Sequence, residues 1–467
     1  MGRRVVAEGL AFDACRRSLG VPETNPPDVE AAPVFPTRDV TDVSFVTLDP
    51  PGSRDLDQAV ALERTSTGYR VRYAITDVGA FITPGDPVDT DSRVRAVTIY
   101  APDKRTPLYP PALGEGVASL LPDQRCPAIV WTIDLDETGQ QTSVAVERAV
   151  VRSRDKLDYP TMQTAADHDA LPEPIALLPE IGRLRLAQAR ARDAIDLALP
   201  EQTAVPAPDG GWTLKFREPL AIERWNAEIS LLTGMAAARL MLHANVGLLR
   251  TVPEPTPGTV AHLRHIAAHL KVPWPENATV GEVLEAAGPS VAFREAAASL
   301  LRGAGYTPFD GAPPALKDHA GVGAPYAHVT APLRRLADRF VNEIVVAVAN
   351  GRTPPAWARE ALPELPGLMA TGERRAKAVE RCVLDHLEAL VLKSRIGDHL
   401  HAVVVDVVRD DVIVIVEEPA IRARVTGATA RIGASVSLRI DAVDTTAGVV
   451  KFSISGPRST SSGGGGR

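Results

Sequence analysis

No apolar run in this 467-residue chain approaches the ~20 residues that a membrane-crossing helix requires, so no helical span is expected. The opening residues, MGRRVVAEGLAFDACRRSLG, alternate charged and apolar side chains and lack the continuous apolar core of a secretory signal. Cysteine is nearly missing. Cys15, Cys126 and Cys382 are odd in number, far apart and without metal-ligand spacing, so a reducing, cytoplasmic setting with free thiols is the plain reading. Lysine is scarce beside arginine, and the formal net charge is −7. That balance argues mildly against nucleic acid as a partner, but a basic channel inside an acidic shell escapes it, so charge excludes nothing. No phosphate loop is present either, because LGEGVASL at 113–120 lacks both the lysine and the strand-to-helix setting. Ser53 and Ser119 sit outside any nucleophile elbow, which sets acyl transfer aside. There is no internal repeat.

What remains is an ordinary globular composition, 45% hydrophobic and 23% charged, with enough apolar material for two or three domains. Residues 1–40 read as a proline-rich N-terminal extension. From Val43 the pattern is strand-like, with VSFVTLD, AVALER and YRVRYAITDVGAFI, the last two forming a hairpin around TSTG. A second strand pair flanks Gly139. Helical periodicity begins near LLPEIGRLRLAQARARDAIDLAL, and in ERWNAEISLLTGMAAARLMLHANVGLL one helix face is deeply apolar. After a helical connection at 356–397, residues 398–455 alternate again in five short strands, which fits a small barrel such as the OB-fold. Residues 456–467 read as a flexible tail.

The chemistry is concentrated in TLDPPGSRDLDQAVALER, residues 47–64. Asp49 ends a strand, PPGS turns the chain, and Asp55 and Asp57 alternate so that both carboxylates project from one face. Three convergent carboxylates repel unless a cation neutralises them, and Mg²⁺ or Mn²⁺ with an oxygen shell is the natural occupant. A solvated acidic turn and a calcium-stabilised structural loop explain the bare spacing as well. The helix segment AHLRHIAAHLKVPWP raises a zinc reading for His262, His265 and His269, but no cysteine or HExxH pattern supports it, and a solvated helix face is preferred.

A second motif, APYAHVTAPLRRLADRFVNEIV at 324–345, decides between these readings. Together the two stretches resemble the ribonuclease II / ribonuclease R (RNB) family of exoribonucleases. Asp49, Asp55 and Asp57 match three of the four acids in its first signature, with Gln58 in place of the fourth. Tyr326, His328, Thr330, Pro332, Arg334, Arg335 and Asp338 match the second, while Ala331 and Leu336 replace a serine and a tyrosine. Tyr100 falls where the family has a tyrosine near the 3′-terminal nucleotide, and Glu228 matches the second acid of a Glu-Glu pair whose first is Ala227 here.

The resemblance implies an α+β architecture, with an RNB catalytic domain at 41–355 (a mixed sheet packed with helices) and a C-terminal OB-fold RNA-binding barrel at 398–455. It implies hydrolysis of single-stranded RNA from 3′ to 5′ into nucleoside 5′-monophosphates, with Mg²⁺ or Mn²⁺ as cofactor. Asp49, Asp55, Asp57 and Arg334 are then the catalytic set, and Asp49, Asp55, Asp57 and Gln58 the metal ligands. Tyr100, Glu228, His328, Thr330 and Arg335 are the candidates for substrate contact, and a surface ion pair competes with phosphate for Arg339. The expected partner is single-stranded RNA, met by a cytoplasmic monomer without membrane attachment. Two departures matter for affinity: the N-terminal extension is too short for paired cold-shock barrels, and VVRDDVIVIVEEP in the C-terminal barrel lacks base-stacking aromatics. The alternative is a catalytically weakened relative that binds RNA or a protein partner.

Overall fold

The computed structural model describes residues 12–28, 33–101, 103–206, 212–286, 288 and 290–455. The tail 456–467 and the start of the N-terminal extension lie outside them. The described residues form two compact units. One comprises those up to 196 together with 219–255 and 301–380; the other comprises 197–218, 256–300 and those from 381 onward. The units therefore interleave along the chain, which changes of sequence texture do not reveal.

In the first unit the strands are Phe45–Asp49 (β1), Gln58–Thr65 (β2), Gly68–Thr76 (β3), Ile99–Tyr100 (β4), Arg105–Thr106 (β5), Arg125–Asp136 (β6) and Gln141–Asp158 (β7). Strands β1, β2, β3, β6 and β7 close into a barrel, with β1 antiparallel to β2 and parallel to β7. The expected mixed sheet is thus present but closed on itself. Alternation builds it: Val71, Tyr73 and Ile75 of β3 are buried. Flanking Val71, Arg70 and Arg72 point outward to Asp134 and Glu63. The β2–β3 turn is tight, with Thr65 opposite Gly68. Gly68 has φ +143°, and a Cβ there would stand 2.2 Å from the Leu135 carbonyl oxygen, so only glycine fits. At the β6–β7 turn the Asp136 carboxylate accepts the Thr138 and Gln140 N–H groups, ending one strand and starting the next.

Two helices complete the frame around the site. Ala221–Ala244 buries Ile229, Leu232, Met235, Ala236 and Met241. Leu336–Ala349 buries almost its whole length, including Arg339, which is 1% exposed. Arg339 donates to Asp89 and to the Ile82 carbonyl and lies over the Trp357 ring. Its ion pair is buried and not on the surface, and such a pair is costly to break from one side.

The second unit contains a five-stranded antiparallel sheet in the order Ile421–Val425, Asp411–Val416, His399–Val408, Ser435–Asp444, Val449–Ser455, as the alternation predicts. Val404, Val412, Val414, Leu438 and Ile440 fill its inside. Arg422 and Arg424 face outward but pair with Glu295 and Asp411. In the helix Pro257–His269 the three histidines are exposed, with His265 and His269 ring to ring, so the solvated-face reading holds. Among the described residues no helix is long and apolar enough to cross a membrane.

Candidate active site

The end of β1 and the start of β2 form one wall of a cavity of about 390 Å³, lined by Asp49, Asp55, Asp57, Gln58, Tyr100 and Arg334 among others. Asp49 is fixed because β1 is paired on both sides, to β2 and to β7, where it stands opposite Asp158. Between the strands, residues 53–57 belong to no helix, strand or turn. Leu56 is fully buried there, which sends Asp55 and Asp57 together to the cavity side, as their alternation predicts. The Leu333 N–H donates to Asp57 Oδ1 at 2.7 Å, tying the acidic loop to the second motif.

That motif is a turn held by a carboxylate. Asp338 is fully buried and accepts the Ala331 N–H through Oδ2. The Arg335 guanidinium grips both of its oxygens, at 2.9 and 2.7 Å. Leu336 N–H and Arg334 C=O bond to the backbone of Ala96 and Thr98. With the turn fixed on both sides, Arg334 reaches the acids, its Nε standing 3.7 Å from Asp57 Oδ2. Beneath the turn Tyr306 meets His328 Nδ1 at 2.7 Å, and the Tyr326 ring packs edge-on against His328. Gly234 permits this stack, since a Cβ there would lie 2.1 Å from the Tyr326 ring.

The electrostatics are those of a site short of positive charge. Burial pushes the Asp49 carboxyl up to about 7, aided by Asp55 and opposed by Arg334 and Lys156. Burial also holds Asp57 well above the carboxylate range, against the pull of Arg334 and the Leu333 N–H. Asp55 is the compensated one: Tyr100 Oη donates to its Oδ2 at 2.6 Å and Arg105 Nη1 to its Oδ1 at 2.7 Å.

Residues 37–351 match the RNB domain, and 398–455 match the RNase II-type exonuclease C-terminal S1 domain. The chain belongs to the RNB family. It is 25% identical to a protein named Ribonuclease R from Aquifex aeolicus, over 95% of this chain and 70% of that protein. It is 24% identical to Ribonuclease R of Escherichia coli, over 82% of this chain but only 50% of that one. Its fold is similar to the apo form of Mycoplasma genitalium RNase R and to that protein in complex with ribose-methylated single-stranded RNA. Each match has a TM-score of 0.80 and 18% identity over 96% of this chain and 76% of the other. It is also similar to yeast Ssd1, titled a pseudonuclease, with a TM-score of 0.70 and 17% identity over 94% of this chain and 57% of that one.

Within this RNB frame the structure brings together Asp49, Asp55, Asp57, Arg334 and Tyr100, and does not bring the rest. Glu228 lies 4% exposed among Arg185, Arg192 and Arg224 and does not line the cavity. Helix geometry explains it: at about 100° per residue, Asn226 and Ser230 share a face while Glu228 points away. Asn226 bonds Tyr159 and Ser230 bonds Tyr73, on the side of the acids. His328 lies in the stack beneath the turn, where burial drives its pKa well down. Thr330 is buried and Arg335 is committed to Asp338, and neither lines the cavity. Gln58 does line it, but its carbonyl oxygen accepts hydroxyls from Tyr73 and Ser230 and so is engaged away from any cation. Sequence reasoning missed Arg105, Glu115, Tyr73 and Ser230. Only Arg105 left a signal: it follows Tyr100 closely in the chain and stands opposite it in a two-stranded ribbon.

A divalent cation fits this donor set. No hydrogen-bond donor among the described residues meets the Asp49 carboxylate. Burial raises both the Asp49 and the Asp57 carboxyl above the 3.8 of an ordinary aspartate, and a cation between them would offset that cost. The sign for stability follows. Between about pH 4 and 7 the unfolded chain binds fewer protons at Asp49 than the folded chain, so Asp49 lowers stability as pH rises and levels off above its folded pKa. The Tm of the metal-free wild type should therefore fall behind that of Asp49→Asn across this window, and millimolar Mn²⁺ should close the gap at pH 7. Parallel Tm curves without metal would show that Asp49 ionises freely.

Proposed function

We propose that this chain is a divalent-metal-dependent exoribonuclease, which hydrolyses single-stranded RNA from its 3′ end and releases nucleoside 5′-monophosphates. The observation that carries the reading is the meeting of Asp49, Asp55 and Asp57 with Arg334 and Tyr100 in one cavity. Relatives named Ribonuclease R, and the RNA complex of the Mycoplasma protein with this fold, support RNA as the substrate.

Asp49 and Asp57 would hold the cation, with Asp55 beside them in the same cavity. When bound there, it supplies Lewis acidity toward the scissile phosphate and lowers the pKa of the attacking water. The chain's own groups do the rest. The Arg334 fork faces the cavity, where it pairs with non-bridging phosphate oxygens and offsets the charge that grows on them as water attacks phosphorus. The bond from phosphorus to the upstream O3′ breaks, and that oxygen leaves as a hydroxyl. Tyr100 is half-exposed at the cavity wall, fixed by its bond to Asp55, and offers a ring face to the terminal base. Such stacking is worth about 1–3 kcal/mol per base.

The test uses one short RNA labelled at either end. Mn²⁺-dependent release of 5′-monophosphate from the 3′ end, with stepwise shortening of the 5′-labelled strand, is the expected result. RNA binding without release at any Mn²⁺ concentration would sink the reading and favour a catalytically weakened binding protein.

A further inference from the structure

Arg105 belongs to no motif, yet it makes the closest charged contact to the catalytic acids. Strands β4 and β5 form a two-stranded ribbon in which Tyr100 and Arg105 stand directly opposite each other. Cross-strand partners share a face, so the ribbon delivers a phenol and a guanidinium side by side. They divide Asp55 between them: Tyr100 Oη takes Oδ2 at 2.6 Å and Arg105 Nη1 takes Oδ1 at 2.7 Å. The second arm of Arg105 pairs with Glu115, from the short helical turn Leu113–Val117, and both side chains line the cavity. The side chains of Arg105 and Asp55 are 24% and 15% exposed, so bulk water screens the pair only in part.

On the other flank Gln58 contributes no charge, and its carbonyl oxygen is taken by Tyr73 and Ser230. The carboxylate oxygens still open to a cation are those of Asp49 and Oδ2 of Asp57. A two-ion site needs carboxylates on both sides of a pair of cations about 4 Å apart. Here one of those carboxylates, Asp55, is already paired with a cation that belongs to the chain, the Arg105 guanidinium.

We propose that Arg105 is a resident counter-charge that holds Asp55 in place of a second metal ion, so that the chain binds one divalent cation, between Asp49 and Asp57. The inference rests on the metal-dependent reading above and assigns its stoichiometry. Arg105 acts through Asp55 and is a positioning residue. Unlike a second ion it does not dissociate, so the dependence of activity on metal should be first order. The neutral Gln58 fits the same design, because one cation and one guanidinium need fewer acids than two cations.

The experiment counts Mn²⁺ on the full chain without RNA, by equilibrium dialysis with electron paramagnetic resonance of the free ion. Wild type should bind one Mn²⁺ per chain, and Arg105→Lys should also bind one. Arg105→Gln, which frees Asp55 and Glu115, should bind two, with its fold checked by circular dichroism and Tm. Two ions on wild type, or one ion on a folded Arg105→Gln, would overturn the proposal while leaving a metal-dependent nuclease intact. No Mn²⁺ on wild type at millimolar concentration would instead overturn the metal-dependent reading, and this inference with it.

Discussion

Asp57→Asn should lower turnover about 10³-fold or more while the chain keeps its Tm and its grip on RNA. The geometry separates these outcomes. Oδ1 of Asp57 accepts the Leu333 N–H, and an asparagine carbonyl accepts the same bond, so the tie between the acidic loop and the arginine turn survives. The lost property is charge at Oδ2, which faces Arg334 and the cavity. Removing a buried acid that struggles to ionise also spares the fold a penalty, so Tm should hold or rise. Single-turnover cleavage of a short RNA with Mn²⁺, beside fluorescence anisotropy in chelator, measures both halves. Wild-type turnover from a well-folded Asp57→Asn chain would reduce the acid to a turn residue.

The second large effect belongs to Arg334. Lysine keeps the charge but loses the planar fork, so Arg334→Lys should cut kcat by about 10²–10³ with KM changed far less. Its neighbour provides the contrast. Arg335 grips both oxygens of Asp338, and Asp338 holds the Ala331 N–H that fixes the turn. Arg335→Lys should therefore appear first as a lower Tm, and not as a change in the salt dependence of RNA binding. Equal, small kinetic effects at both positions, with Tm unmoved, would show that the turn is only a basic surface.

How far the sequence was readable depends on the range of the interaction. Strands with a two-residue period, turns at Gly68 and Gly139, and the paired projection of Asp55 and Asp57 are local consequences of backbone geometry, and each is found. Glu228 fails for another reason. Matching a motif gives the residue but not the helix face, and the face is set by what Asn226 and Ser230 meet on strands far away in the chain. Arg335 and His328 were legible as motif members and not as scaffold, because only Asp338 and Tyr306 reveal what they hold. Arg105 belongs to no motif, and its importance comes from Asp55, 50 positions earlier. The interleaving of the two units was invisible because excursions at 197–218 and 256–300 carry the same strand and helix textures as their surroundings.

The bond from the Leu333 amide to Asp57 spans 276 positions. Contacts of such separation form late, after the intervening loops have lost their freedom. On the ribosome this imposes an order: all three aspartates, and the barrel strands that hold them, emerge while Arg334 is still unmade. A nascent chain arrested in the middle carries the acids without the arginine turn that completes them. A nuclease assembled in this order does not acquire its cutting centre until the arginine turn has followed the acids off the ribosome.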